Sequence, residues 1–131
     1  MNEHQWVPHI LPIQICRVGQ IAFVGCPGEY TITAGKRLES TVMEALKGSG
    51  IEEVIICSYS NAYMGYVTTF EEYQFQTYEG GHTIFGQWTL GAFQTKFREL
   101  AGELLKPQVD RKLASEQPVE FSSEEIDRRT Y

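Results

Sequence analysis

Glu29 stands just past a Pro-Gly pair in "CPGEYTITAGKRL", residues 26–38. A second run, "SNAYMGYVTTFEEYQFQTYEGG" at 60–81, holds Tyr63, Tyr66, Tyr73 and Tyr78 together with three glutamates and Gly80-Gly81. A carboxylate and several phenols just beyond strand ends are groups that can meet a ligand at the edge of an α/β sheet, where such sites gather. They do not by themselves specify a reaction. On spacing alone a plainer account is the stronger one. In it Glu29 favours a helix N-terminus, Thr33 caps that helix, the tyrosines bury their rings while their hydroxyls find partners, and the glycines shape a turn.

The elements that must position these residues are legible from apolar periodicity. "ILPIQICRVGQIAFVGCPG" alternates apolar residues on both sides of Gly19-Gln20, which predicts a β-hairpin ending near Pro27-Gly28. "TAGKRLESTVMEALK" puts Leu38, Val42, Ala45 and Leu46 near one face and is followed by Gly48 and Gly50, which predicts an amphipathic helix. "EEVIICSYS" reads as a strand covered on both faces. Strand, helix, strand in that order implies a crossover unit in a mixed sheet. "FEEYQFQTY" suggests a short helix. "QWTLGAFQTKFRELAGELLK" suggests a long one with Trp88, Leu90, Phe93, Phe97, Leu100 and Leu104 on its buried stripe, stopped by Pro107. The expected fold is α/β: a mixed sheet with a β-hairpin, a crossover helix, a buried strand and C-terminal helices. Residues 1–106 carry these elements, and the polar residues 107–131 read as a tail or linker.

The chain has 131 residues, 42% hydrophobic and 21% charged, which suits one globular domain with a core. Its net charge is −6, and its basic residues are scattered (Lys36-Arg37, Arg111-Lys112, Arg128-Arg129), which argues against nucleic acid as a partner. Cys16, Cys26 and Cys57 lie in or beside apolar runs without C-x-x-C spacing, so buried thiols are expected. No run approaches the roughly 18 apolar residues of a membrane helix. The first residues lack the basic flank and apolar stretch of a secretory signal, so nothing in this chain is expected to direct export.

Two segments carry a resemblance. "PGEYTITAGKRL" and "SNAYMGYVTTFEEYQFQTYEGGHTIFGQWTLGAF" resemble, in order and nearly without gaps, two long motifs of the neutral ceramidases. The likeness runs from about Ile13 to Leu105 and corresponds to the C-terminal third or so of that family's catalytic domain. It implies hydrolysis of the ceramide amide to sphingosine and a fatty acid at a zinc ion held by two histidines, a glutamate and a tyrosine. The glutamate corresponds to Glu29 and the tyrosine to Tyr66. A further tyrosine beside the substrate carbonyl corresponds to Tyr78, which leaves Tyr63 and Tyr73 as packing residues. Zn²⁺ accepts such donors and lowers the pKa of a bound water to ~7. The resemblance implies that Glu29 and Tyr66 end up close together, each just after a strand of one sheet.

The family's two histidines lie upstream of the matching segments, so this chain is expected to carry a zinc half-site and to be inactive alone. His4, His9 and His82 are expected on the surface or in loops. His82 replaces a residue that is usually Ser in the family, and Gln87-Trp88 replaces Pro-His, which bears on the substrate entrance. The leading expectation is a partial domain of a ceramidase-type zinc amidase acting on a ceramide-like lipid, with a separate chain as one source of the missing N-terminal part. The alternatives are a non-catalytic interaction module and a small lipid-binding protein. Uncovered apolar surface implies a homo-oligomer. The family is commonly secreted or membrane-facing, but the chain itself leaves the compartment open.

Overall fold

The computed structural model describes residues 7–118 and 120–130. β1 (Gln14–Val18) and β2 (Ile21–Gly25) form the expected antiparallel hairpin, with Gln14 opposite Gly25 and Val18 opposite Ile21. β4 (Glu53–Cys57) lies parallel to β2, from Ile21 beside Glu53 to Gly25 beside Cys57, so the sheet order is β1-β2-β4. Between β2 and β4 the chain runs through β3 (Glu29–Tyr30) and the crossover helix α1 (Ile32–Ala45). β3 does not join this sheet. It pairs in parallel with β5 (Tyr66–Val67), Glu29 beside Tyr66 and Tyr30 beside Val67, in a separate two-stranded ribbon. α2 (Phe70–Gln74), α3 (Tyr78–Gly81) and α4 (Thr89–Leu104) follow. The fold is the mixed α/β arrangement expected from the periodicities.

The core forms where alternate sheet residues meet two helices. Ala22 and Val24 of β2 and Val54 of β4 pack with Ala34, Leu38 and Val42 of α1 and with Leu90, Phe93, Phe97 and Ala101 of α4. A fully buried aliphatic or aromatic side chain there contributes about 1.5–3 kcal/mol relative to exposure. Phe97 is fully buried and stacks on Phe93 at 6.2 Å between ring centroids.

Four sequence expectations are corrected in detail. β4 turns Val54 and Ile56 toward the core, while Ile55 and Cys57 on its other face stay partly exposed and Glu53 is exposed, so the strand is not covered on both faces. Cys16 is exposed because it points away from the helices, whereas Cys26 is buried and burial pushes its thiol up to about 12. The α1 cap is Thr31 rather than Thr33: the Thr31 hydroxyl accepts from Ala34 N at 3.1 Å. Trp88 is 67% exposed because it occupies the N-cap position of α4, and its ring leans on Phe70 at 4.9 Å instead of joining the buried stripe.

The polar C-terminal stretch contains two short elements that its composition did not announce, a 3-10 turn (Gln108–Asp110) and α5 (Ser123–Arg129). α5 is held by local polar contacts. The Ser122 hydroxyl accepts from Glu125 N, Arg129 Nε donates to Glu125 Oε1 at 2.7 Å, and the Arg129 guanidinium sits 4.2 Å from the centre of the Phe121 ring. Among the described residues no helix is long and apolar enough to cross a membrane.

Candidate functional site

The β3/β5 ribbon is two residues wide, and backbone hydrogen bonds define it. Glu29 N donates to Gly65 O at 3.0 Å, Thr31 N donates to Val67 O at 3.1 Å, and Tyr66 N donates to His82 O at 3.1 Å. The approach of these chains explains two glycines. A Cβ on Gly65, which has φ +94°, would fall 2.8 Å from His82 O, and a Cβ on Gly28 would fall 3.1 Å from Gly65 O. A larger residue at Gly28 would press on the segment that carries Tyr66, and one at Gly65 would push that segment away from His82.

Glu29 and Tyr66 are therefore lateral neighbours in a parallel register, although 36 residues lie between them in sequence. They meet in the ribbon and not beyond the strands of one shared sheet. The Tyr63 hydroxyl donates to Glu29 Oε2 at 3.0 Å. Hydrogen bonding from the Tyr59 phenol, then from those of Tyr66 and Tyr63, holds the Glu29 carboxyl below the ordinary glutamate range against a smaller opposing effect of desolvation. The same contacts act in reverse on the phenols. Hydrogen bonding to Glu29 pushes Tyr59 up to about 12 and raises Tyr66 further, while Tyr63 is raised by desolvation and then by Glu29. The arrangement is one ionised carboxylate beneath neutral phenols, and no lysine or arginine among the described residues pairs with it. A cation would exchange places with phenol protons here and reverse the upward shift of Tyr66.

Tyr78, at the start of α3, places its ring edge-on to Tyr66 at 5.6 Å between centroids and is two-thirds exposed. His82, at the C-cap of α3, is exposed as expected of a surface histidine, yet it belongs to the same aromatic group. Its ring lies 4.5 Å from that of Tyr78 and 6.3 Å from that of Tyr66, and its Nδ1 is 2.7 Å from Tyr78 O. A carbonyl only accepts, so Nδ1 carries the proton in this contact. His9 is exposed with its ring against Phe85, and His4 lies outside the described residues. Among the described residues no group of three or more His, Cys, Asp or Glu converges as a metal cage.

Sequence reasoning missed two members of the site. Tyr63, read as packing, is half-exposed, stacks on Tyr59 with rings 3° from parallel, and donates to Glu29. Tyr59 was not singled out. Its signal was its place just after β4, next to the strand whose end leads to Glu29. It takes φ +59°, an uncommon conformation for a bulky residue, and its N–H donates to Gly28 O. Tyr73 is half-buried on α2 and plays no part in the cluster.

A cleft of about 550 Å³ opens beside the ribbon, lined by Glu29, Tyr66, Thr31, Thr68, Glu72 and Glu79 among others. Its three carboxylates suit a cation or an amine better than an anion. A second depression, of about 420 Å³ over Arg37, Thr41 and Gln94, contains none of the clustered phenols or carboxylates.

Residues 1–95 match the family model described as neutral/alkaline non-lysosomal ceramidase, N-terminal, a match that starts upstream of the quoted motifs and stops inside α4. The chain is 46% identical over 100 residues to the neutral ceramidase of Pseudomonas aeruginosa, covering 76% of this chain and 15% of the relative. It is 45% identical over 110 residues to neutral ceramidase 3 of Arabidopsis thaliana, covering 82% of this chain and 15% of the relative. The crystal structure of the Pseudomonas aeruginosa neutral ceramidase superposes with a TM-score of 0.78 at 39% identity, over 92% of this chain and 20% of that one. The 131 residues thus form a partial domain spanning a small part of their relatives' length, and the chain belongs to the neutral/alkaline non-lysosomal ceramidase family.

Proposed function

We propose that this chain is the C-terminal piece of a ceramidase-type zinc amidase domain and contributes half of its metal site through Glu29 and Tyr66. The pairing of these two residues across the ribbon, with the carboxylate held ionised beneath phenols, carries the reading. The donor chemistry fits: a carboxylate and a phenol oxygen are both acceptable to Zn²⁺, which when bound supplies a water with a pKa of ~7. The chain's own residues have separable roles. Glu29 offers a carboxylate oxygen. Tyr66 offers its phenol oxygen once its proton has been displaced. Tyr78 donates a hydrogen bond to the substrate carbonyl oxygen as negative charge develops there. The remaining ligands and most of the lipid pocket come from residues outside this chain, either as further sequence or as a separate chain. The substrate is a ceramide-like N-acyl lipid.

The chain alone is expected to show no turnover of a fluorescent ceramide. The decisive experiment supplies the preceding portion of a neutral ceramidase, truncated before the segment equivalent to Ile13, as a separate chain or as a fusion. Ceramide hydrolysis that appears only in the combination, and disappears with Glu29→Gln or Tyr66→Phe, supports the reading. Activity unchanged in both variants overturns it.

A second reading, a non-catalytic module that docks on a partner or on its own copies, draws on exposed apolar residues such as Val18, Ile32 and Trp88, which are 64%, 81% and 67% exposed. Light scattering at tens of micromolar tests the self-association it implies. A dimer or larger species is expected, and a monomer with a cooperative thermal transition argues that the piece is self-sufficient.

A further inference from the structure

Glu72 lies on α2, outside the group of phenols around Glu29, and at first sight does no more than close a helix cap. Its N–H donates to the Thr69 hydroxyl at 3.1 Å and its Oε2 accepts from Thr69 N at 2.8 Å, the reciprocal pair of a capping box. A capping box needs no third partner. Yet the same Oε2 also accepts from the Thr31 hydroxyl at 2.7 Å, across 41 residues of sequence. Thr31 is the N-cap of α1, two residues past Glu29, and its own N–H donates to Val67 O in the strand that carries Tyr66. Thr69 is the N-cap of α2, three residues past Tyr66. One carboxylate oxygen therefore joins the downstream ends of both strands of a ribbon only two residues wide. Partial burial opposes the charge on Glu72, but hydrogen bonds from the Thr69 backbone and from the hydroxyls of Thr31, Thr69 and Thr33 outweigh it and hold the carboxyl below its ordinary range.

We propose that Glu72 is a positioning residue for the metal half-site. By latching the two helix caps it sets the spacing between Glu29 and Tyr66. The role rests on the zinc reading above for its purpose, but the latch is a property of this chain and can be measured without metal. Both bonds end on one oxygen, so the amide oxygen of Glu72→Gln can accept both. Glu72→Ala accepts neither, and Glu72→Asp is one methylene too short to span the two caps.

Hydrogen exchange of the isolated chain provides the test, read at the amides of Glu29 and Thr31, which stitch the ribbon, and at Val24 in the main sheet. In Glu72→Ala and Glu72→Asp the ribbon amides should exchange about tenfold faster while Val24 changes less than about twofold, and Glu72→Gln should restore wild-type rates. Equal acceleration at all three amides, no acceleration, or failure of Glu72→Gln to recover would overturn the proposal, because a residue of general structural importance would behave so. Calorimetric titration with Zn²⁺ alone adds an independent arm, in which weaker binding in Glu72→Ala and recovery in Glu72→Gln are expected. Equal Zn²⁺ affinity in wild type and Glu72→Ala overturns the positioning role. If the wild-type chain takes up no Zn²⁺, the metal reading is lost while the exchange data still decide whether Glu72 spaces the ribbon.

Discussion

The three-stranded sheet and the β3/β5 ribbon are held together by different forces. In the sheet, five-residue strands present alternate apolar side chains to α1 and α4, and burial of residues such as Val24, Leu38 and Phe97 dominates. In the ribbon, two-residue strands carry Glu29 and Tyr66, which are not fully buried, and their spacing depends on backbone bonds, close-approach glycines and the Glu72 latch. A core tolerates small shifts because contact is non-directional. A site needs its oxygens at fixed positions and uses directional bonds, each worth little, to hold them. The contrast separates what keeps this chain folded from what prepares it for chemistry.

The largest effect should come from the sheet side. Phe97→Ala removes a fully buried ring and should cost about 3–5 kcal/mol in urea unfolding, with ribbon and sheet losing structure together. If the ribbon's tyrosine near-ultraviolet dichroism survived that loss, the two regions would be more independent than the packing implies. Gly65→Ala attacks the ribbon instead. With φ +94° and a carbonyl 2.8 Å from the new Cβ, it should cost about 1–3 kcal/mol, and exchange at the Glu29 amide should rise more than at Val24. A uniform loss of protection would erase the distinction drawn between the two regions.

Thr69→Ala removes one cap and should cost about 1 kcal/mol, again concentrated in the ribbon and α2. The smallest effect is electrostatic. The phenols favour ionised Glu29, so their contribution to stability is present above the carboxyl's unfolded pKa of about 4.3 and is lost as pH falls through the lower folded value. Glu29→Gln should flatten that part of the acid limb of the stability curve, with a slightly lower midpoint than wild type at neutral pH and the two curves converging as pH falls below the folded value. An acid limb identical to wild type would show that the phenols do not bear on this carboxylate.

The same division governs how much of the molecule was legible in its sequence. The hairpin, α1, β4 and the buried stripe of α4 follow from apolar periodicity, because burial writes itself into residue order. The ribbon does not, since a two-residue strand has no period and 36 residues lie between the paired positions. The roles assigned to Glu29, Tyr66 and Tyr78 came only from the resemblance of their surrounding segments, not from periodicity. Tyr59 and Tyr63 escaped because nothing in the chain's spacing reveals that their rings stack on each other and that the Tyr63 hydroxyl donates to Glu29. Thr31 and Thr33 offer the same cap chemistry two residues apart, and the choice of Thr31 depends on the helix beginning at Ile32. α5 was missed because its segment carries no apolar period, and the contacts seen around it include ion pairs and a cation-ring contact.

The parallel pairing of β3 with β5 also orders events in time. Closing a loop of 36 residues costs roughly 3 kcal/mol of chain entropy, more than a ribbon of two residues can repay at once. The hairpin, α1 and β4 must first bring the two segments together, so the pairing of Glu29 with Tyr66 belongs among the last steps of folding. A molecule caught short of its native state therefore has a formed core while Glu29 and Tyr66 are still apart.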